Sequence, residues 1–167
     1  MAALAACDLA DTCLGPGAAR LKWPNDVLVG DGKLAGILAE VAAPEPVVVV
    51  GLGLNVTEAP DPAATSLSML GAAVDRTALT DAVLRHLAVR IAGWRAANGA
   101  DATLAADYRA RSVTLGNRVR ASLPGDRAVE GVATDVDGLG RLRIDTGEPE
   151  VLTVSAGDIT HLRPVNP

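Results

Sequence analysis

Two short apolar runs separated by a glycine-rich turn dominate the first part of the chain. Val27–Val29 and Leu34–Val41 flank Gly30-Asp31-Gly32, where glycine supplies the positive φ angles of a tight turn, so the stretch predicts a β-hairpin. A third run, Val47–Val50, consists of four consecutive valines, a pattern typical of a central strand covered on both faces. The chain is therefore expected to fold around an antiparallel meander of strands.

Helical patterns surround these strands. Residues 1–14 are rich in Ala and Leu and predict a helix that ends at Gly15-Pro16-Gly17, after which Ala18–Lys22 predicts a short strand. Apolar residues recur every three to four positions from Thr77 to Ala97, which indicates an amphipathic helix. A shorter helix, capped by Asp101, is expected to reach Arg111. The fold class is therefore α+β, with a mixed, largely antiparallel sheet and flanking helices.

The pattern changes near Ser112 to short alternating strands broken by turns. Strands at this spacing are typical of a small barrel. We therefore expect two domains, covering residues 1–111 and 112–167. The predicted barrel strands are Arg118–Leu123, Ala128–Val136, Leu139–Asp145 and Val151–Ser155.

Composition excludes several classes of function. The net charge is −5 and aromatic residues make up 2% of the chain, so the positive surface and stacking platform of a nucleic-acid-binding protein are missing. Cys7 and Cys13 are interpreted as core residues of a reduced cytoplasmic protein. No apolar run approaches the roughly 20 residues that span a membrane. Two cysteines and two histidines, dispersed along the sequence, give no zinc-ligand spacing.

The chemistry that remains centres on the hairpin. Both lysines of the chain, Lys22 and Lys33, lie there, against thirteen arginines elsewhere, which favours a site that needs a compact ammonium. Lys33 with Asn25 and Asp26 would suit adenylation of a carboxylate, because negative charge gathers on oxygens near the α-phosphorus. Structural readings stay open at this point: Asp26 could cap the turn, and Asn25 could form an Asx-turn.

Three blocks of sequence, in this order and at these separations, resemble the catalytic core of biotin protein ligases. The resemblance implies a class II synthetase-like core followed by a small SH3-like β-barrel. It also implies an enzyme that makes biotinyl-5′-adenylate from biotin and ATP, with Mg²⁺, and passes biotin to a lysine of a biotin carboxyl carrier domain. The blocks are Lys22-Trp23-Pro24-Asn25-Asp26, Lys33-Leu34-Ala35-Gly36-Ile37-Leu38-Ala39-Glu40 and Gly51-Leu52-Gly53-Leu54-Asn55-Val56.

The same resemblance implies roles for single residues. Lys33 matches the lysine that contacts both the biotin carboxyl and the α-phosphate, and Gly36 and Gly51 match positions that line the biotin pocket. Asn55 matches the asparagine that reads the adenine. The remaining adenylate contacts are expected from Trp23, Asn25, Asp26 and Arg163, with Asp26 as a candidate Mg²⁺ ligand.

One part of the family pattern is missing from this sequence. Biotin ligases carry a Gly/Arg-rich loop that folds over biotin and the adenylate, upstream of the segment that residues 1–14 resemble. The sequence is therefore expected to be an N-terminally incomplete ligase without a DNA-binding domain, whose uncovered sheet edge would allow a homodimer. The alternative is a non-catalytic module that binds nucleotide or carrier protein.

Overall fold

The protein is described by a computed structural model that covers residues 1–44, 47–99, 101–123, 127–155 and 157–161. The chain forms two compact units. The first comprises Met1–Leu21 and Asn25–Arg111, and the second comprises Lys22–Pro24 and Ser112–Pro167. The short segment Lys22–Pro24 thus belongs to the second unit, although its neighbours in sequence belong to the first.

The described residues of the first unit form a four-stranded sheet and three helices, which confirms the predicted α+β class. Its strands follow the order β1-β2-β3-β4, and β3 pairs antiparallel with both β2 and β4. The predicted meander is therefore present. The elements are α1 (Ala2–Leu14), β1 (Ala19–Lys22), β2 (Asp26–Val29), β3 (Gly32–Ala42), β4 (Val47–Leu54), α2 (Arg76–Ala96) and α3 (Ala102–Arg111).

The helices begin and end where the sequence predicts. The backbone leaves α1 at Gly15, whose φ of 108° suits glycine, and Asp75 caps α2 by accepting from the N–H groups of Thr77 and Ala78. Asp101 caps α3 by accepting from the Leu104 N–H at 3.0 Å. The core of this unit is almost wholly aliphatic, with Leu4, Leu9, Leu21, Val27, Leu34 and Leu67 among its buried residues.

The prediction for Val47–Val50 is wrong in one respect. The four valines do form a strand, but β4 is the last strand of the sheet and each valine exposes between 43% and 60% of its surface. A continuous apolar run shows only that neither face needs to be polar; it does not identify the neighbour that covers it. In the part of the chain that the structure describes, no element covers either face of this run.

The second unit is a small β domain. Within its described ranges, five strands follow the order β8-β7-β6-β5-β9, and every adjacent pair is antiparallel. The strand β9 was not predicted, because four residues with one central apolar side chain give too short a pattern to detect. Closure into a barrel stays a prediction. The strands are β5 (Arg118–Leu123), β6 (Arg127–Val136), β7 (Leu142–Asp145), β8 (Leu152–Val154) and β9 (Asp158–His161).

Two further expectations concern single features. Cys7 and Cys13 are both free thiols, and burial raises the pKa of Cys7 to about 12, so this thiol is inert as a nucleophile at neutral pH. Among the described residues, no helix combines the length and apolar character needed to cross a bilayer.

Candidate functional site

A β-bulge decides where the Lys33 side chain points. Val27 pairs with Ala35 and Leu28 pairs with Lys33, so Leu34 is an extra residue in β3 and lies buried in the core. In a regular strand, Lys33 and Ala35 would share one face, because side chains alternate. The bulge breaks this alternation and turns Lys33 away from the buried side. As a result, its ammonium lies on the same face of the sheet as Gly36.

Asp26 is the partner of Lys33. The Lys33 Nζ lies 2.6 Å from the Asp26 Oδ1, and the two side chains are 47% and 19% exposed. Asp26 lies directly opposite Gly36 in the ladder between β2 and β3. A Cβ atom at Gly36 would lie 3.3 Å from the Lys33 Cε and 3.4 Å from its Nζ. The absence of a side chain at position 36 therefore leaves the room that this ion pair occupies.

Three glycines make the same face of the sheet unusually bare. Gly36 pairs with Gly53, and Gly51 lies opposite Leu38. At both Gly51 and Gly53 the nearest atom to a built Cβ is a backbone oxygen 3.8 Å away. We call Gly36, Gly51 and Gly53 the glycine face. An open cavity of about 440 Å³ lies on it, lined by Asn25, Gly36, Ile37, Leu38, Gly51, Leu52 and Gly53.

Asn25 joins the turn to the sheet at the edge of this cavity. Its side-chain Nδ2 donates to the Ile37 carbonyl at 2.9 Å, and its own carbonyl accepts from the Ile37 N–H at 2.9 Å. These two bonds are different from the Asx-turn considered above. Asn25 therefore holds the loop before β2 against the middle of β3.

Asn55 is tied to the backbone around Lys33. Its Nδ2 donates to the Lys33 carbonyl at 3.1 Å and to the Thr65 carbonyl at 3.0 Å. A side-chain amide has two N–H donors, so both are engaged. Only the Oδ1 of Asn55 remains to accept a hydrogen bond from a ligand.

Trp23 belongs to the second unit. Its side chain is buried, with 3% of the residue exposed, and its Nε1–H donates to the Gly140 carbonyl at 2.9 Å. Its backbone N–H donates to the Thr114 Oγ1 at 3.0 Å, and the His161 Nε2 lies 3.3 Å from the same hydroxyl. Burial, followed by the charge of Lys22, lowers the pKa of His161 below its usual value. The indole N–H of Trp23 is thus already used.

The structure brings six of the eight predicted site residues into the first unit. They are Asn25, Asp26, Lys33, Gly36, Gly51 and Asn55. Arg163 lies outside the described residues. Sequence reasoning missed Gly53 and the segment Asp61–Thr65, whose backbone contacts Lys33. The signal for Gly53 was present, because alternate residues of one strand share a face.

A larger cavity, of about 520 Å³, lies between α2 and α3. It is lined by Asp8, His86, Arg90, Asp101, Asp107 and four other residues, none of which the sequence assigned to the site. The Arg90 guanidinium bridges the carboxylates of Asp8 and Asp107 across it, at 2.8 and 3.0 Å. These charges are paired with one another. The larger volume alone therefore does not make this cavity a stronger candidate for ligand binding than the cavity on the glycine face.

Comparison with protein families gives two matches. A model of the biotin/lipoate A/B protein ligase family matches residues 10–56, and a model of the biotin protein ligase C-terminal domain matches residues 114–162. The first match contains the glycine face and Lys33. The second match covers most of the small β domain.

Individual relatives agree. The chain is 58% identical over 152 residues to a biotin--[acetyl-CoA-carboxylase] ligase of Mycobacterium tuberculosis, an alignment covering 89% of this chain and 55% of that protein. It is 52% identical over 66 residues, 36% of this chain and 27% of the relative, to a ligase of the same name from Paracoccus denitrificans. The chain thus spans about half the length of the first of these relatives and about a quarter of the second.

Solved structures share the fold. The apo biotin protein ligase of Aquifex aeolicus matches with a TM-score of 0.80 at 22% identity, covering 97% of this chain and 72% of that one. The same ligase in complex with biotin and ATP matches with a TM-score of 0.78 at 23% identity, covering 97% and 69%. With two family models matched in order and 58% identity to a curated ligase, the chain belongs to the biotin protein ligase family.

Proposed function

We propose that this protein activates biotin with ATP and passes it to a lysine of a biotin carboxyl carrier domain. The observation that carries the proposal is the Lys33 ammonium, held by Asp26 at the end of the glycine face. The ligase of M. tuberculosis is named for a carboxylase substrate, and a solved Aquifex structure holds biotin and ATP. These relatives support the choice of substrates.

The first step joins a carboxylate oxygen of biotin to the α-phosphorus of ATP and releases pyrophosphate. Both reactants are anionic, so a fixed cation is needed where their oxygens meet. Lys33 supplies this charge from the start of β3, and its side chain is about half-exposed, so a ligand can reach it. The ammonium neutralises charge on the carboxylate and the α-phosphate as the new bond forms.

The glycine face supplies the floor for the ligand. Because Gly36, Gly51 and Gly53 have no side chains, a bicyclic ring can lie directly against the backbone. Leu38, which lies opposite Gly51 and shares the face of Gly36, adds apolar surface to the same cavity. This combination of apolar floor and single cation suits biotin, whose valerate carboxylate extends from an apolar stem.

Mg²⁺ is the ion that would accompany ATP. Among the described residues no group of three or more His, Cys, Asp or Glu side chains could hold a metal, and Asp26 is already paired with Lys33. Mg²⁺ is usually held by one or two carboxylates together with nucleotide phosphates and water, so it does not need such a group. Asp26 as a Mg²⁺ ligand therefore stays a prediction beside its observed pairing with Lys33.

The other nucleotide contacts remain predictions. The adenine contact expected of Asn55 is restricted to its Oδ1, since both N–H donors are engaged. Trp23 could offer only the part of its ring that is not buried, and Arg163 has no described geometry. The first group to examine by mutation is therefore Lys33.

A second candidate function is a non-catalytic module that binds biotinyl-5′-adenylate or the carrier. It is favoured by one observation: both faces of Val47–Val50, next to the glycine face, are open. Incubation with biotin, MgATP and α-labelled ATP separates the two. Biotin-dependent biotinyl-5′-adenylate and pyrophosphate are expected for the ligase. Binding of a non-reactive adenylate analogue without turnover would indicate the module, and absence of both would contradict both functions.

A further inference from the structure

We propose that Asn55 acts on the reaction through Lys33, as a positioning residue that locks the lysine backbone with the help of the segment Asp61–Thr65. This inference rests on the role proposed for Lys33. It differs from the nucleotide-reading role that the family resemblance implies for Asn55. Three sets of contacts carry it.

The first is the environment of the Asn55 side chain. Its Nδ2 faces the carbonyl oxygens of Lys33 and Thr65, at 3.1 and 3.0 Å. Carbonyl oxygens only accept hydrogen bonds, so the nitrogen of the amide must be the atom that faces them. The backbone of Asn55 adds two more bonds, since its N–H donates to Leu34 and its carbonyl accepts from Leu67. Four hydrogen bonds thus connect Asn55 to the bulge, at Lys33 and Leu34, and to residues 65–67, at Thr65 and Leu67.

The second is the environment of the Lys33 backbone. At the bulge, the ladder to β2 is irregular, and Asp61–Thr65 supplies partners instead. The Lys33 N–H donates to the Ala63 carbonyl at 3.0 Å, and the Lys33 carbonyl accepts from the Thr65 N–H at 2.9 Å, in a parallel bridge around Ala64. Asn55 is the second donor to that carbonyl. Both polar groups of the lysine backbone are therefore held from one side.

The third is the packing of Asp61–Thr65 itself. Thr65 is buried, and a Cβ at Gly32 would lie only 2.9 Å from the Thr65 Cβ, so the segment presses directly on the residue before Lys33. Asp61 shapes the segment by accepting from the Ala63 N–H at 2.8 Å. A shift of about 1 Å at a reacting group can lower the rate about a hundredfold, so this clamp matters to a lysine that must meet two ligand oxygens.

Two substitutions separate positioning from base reading. Asn55→Ala removes the amide, whereas Asn55→Asp keeps its shape but replaces the donor by a carboxylate that repels both carbonyls. An Asp side chain could still accept from the adenine amino group. If Asn55 positions Lys33, the Asn55→Asp variant should be no more active than Asn55→Ala. If Asn55 reads the base, Asn55→Asp should retain activity. The matched control is Asn117→Ala, which removes a similar bond, to the Val113 carbonyl at 2.8 Å in the second unit.

The experiment combines amide hydrogen exchange with steady-state kinetics. We expect the amides of Lys33 and Thr65 to exchange at least tenfold faster in both Asn55 variants, with α2 amides unchanged. We expect kcat for adenylate formation to fall at least tenfold, while the preference for ATP over purine riboside triphosphate, which lacks the amino group, stays as in the wild type. The Asn117→Ala variant should match the wild type in amide exchange, in kcat and in nucleotide preference.

Unchanged exchange at Lys33 and Thr65 would overturn the proposal, as would a variant that loses only its preference for ATP while kcat is kept. If the unmodified protein makes no adenylate, this result contradicts the proposed function but not the positioning role of Asn55. The exchange measurement needs no turnover, so it still decides whether Asn55 holds Lys33.

Discussion

At the scale of single residues, the site depends on glycine at position 36, because this residue has no side chain. Gly36 lies opposite Asp26 and beneath the Lys33 ammonium, so the pair occupies space that any other residue would fill. The resemblance of the motifs implies Lys33, Gly36 and Gly51 as site residues, and the structure places them on one face of the sheet, while their roles stay predictions. The motifs also imply Trp23 and Asn55, but they do not indicate what these two side chains contact. Their hydrogen-bond partners, Gly140 and Thr65, are known only once the chain has folded.

A Gly36→Ala substitution tests this space requirement. The new methyl would lie 3.3–3.4 Å from the end of the Lys33 side chain, which is flexible and can move. We expect unfolding free energy to change by less than about 1 kcal/mol and adenylate formation to fall by about tenfold, equivalent to ~1.4 kcal/mol of activation free energy. Gly138→Ala, where nothing lies within 4 Å, is the control. Equal rates in the two variants would show that Lys33 does not need this space.

At the scale of elements, the strands were easier to predict than their surroundings. The turn at Gly30-Asp31-Gly32 and the alternation of β5 to β8 are local, so they are readable from sequence. The environment of β4 is not local, and the expectation that Val47–Val50 is central was wrong. The bulge at Leu34 was not predicted either, although it sets the direction of the Lys33 side chain. A single extra residue cannot be detected in a run of apolar residues.

Within the second unit, β6 and β7 approach so closely that Gly131 is indispensable. A Cβ there would lie 2.3 Å from the Asp145 carbonyl oxygen and 2.7 Å from the Ile144 Cγ2, and the first of these atoms is backbone. Gly131→Ala should therefore lower the unfolding free energy of this unit by about 1–3 kcal/mol or more. Urea denaturation measures it, with Gly138→Ala in the same unit as the matched control. A midpoint equal to that of the control would refute the close approach.

At the scale of the whole molecule, charged contacts join distant parts of the first unit. The Arg111 guanidinium, at the end of α3, lies 2.8 Å from the Asp11 Oδ2 and 3.1 Å from the Asp8 Oδ1, both on α1. The Asp11 Oδ1 also accepts from the Ala19 N–H at the start of β1. Burial alone would raise the pKa of Asp11, but the hydrogen bonds from Ala19 and Arg111 outweigh it and lower the pKa below 3.8.

This shift predicts a pH dependence of stability. Because the folded state holds the Asp11 proton less tightly than the unfolded state, the stabilisation is complete above the ordinary pKa and is lost as pH falls through the lowered one. Thermal unfolding followed from pH 7 to pH 2 should show that the melting temperature falls below about pH 4. This fall should be smaller in the Asp11→Asn variant. Parallel acid profiles for the two proteins would show that Asp11 contributes nothing to this loss.

The two lysines offer the most direct test of the central claim, because Lys33 and Lys22 belong to different units. The measurement is calorimetric affinity for an analogue of biotinyl-5′-adenylate in which a methylene replaces the acyl carbonyl, so that the phosphate charge is kept and transfer is blocked. We predict that Lys33→Ala weakens binding by at least tenfold and that Lys22→Ala leaves it within twofold of the wild type. Equal affinity of the wild type and Lys33→Ala would contradict it.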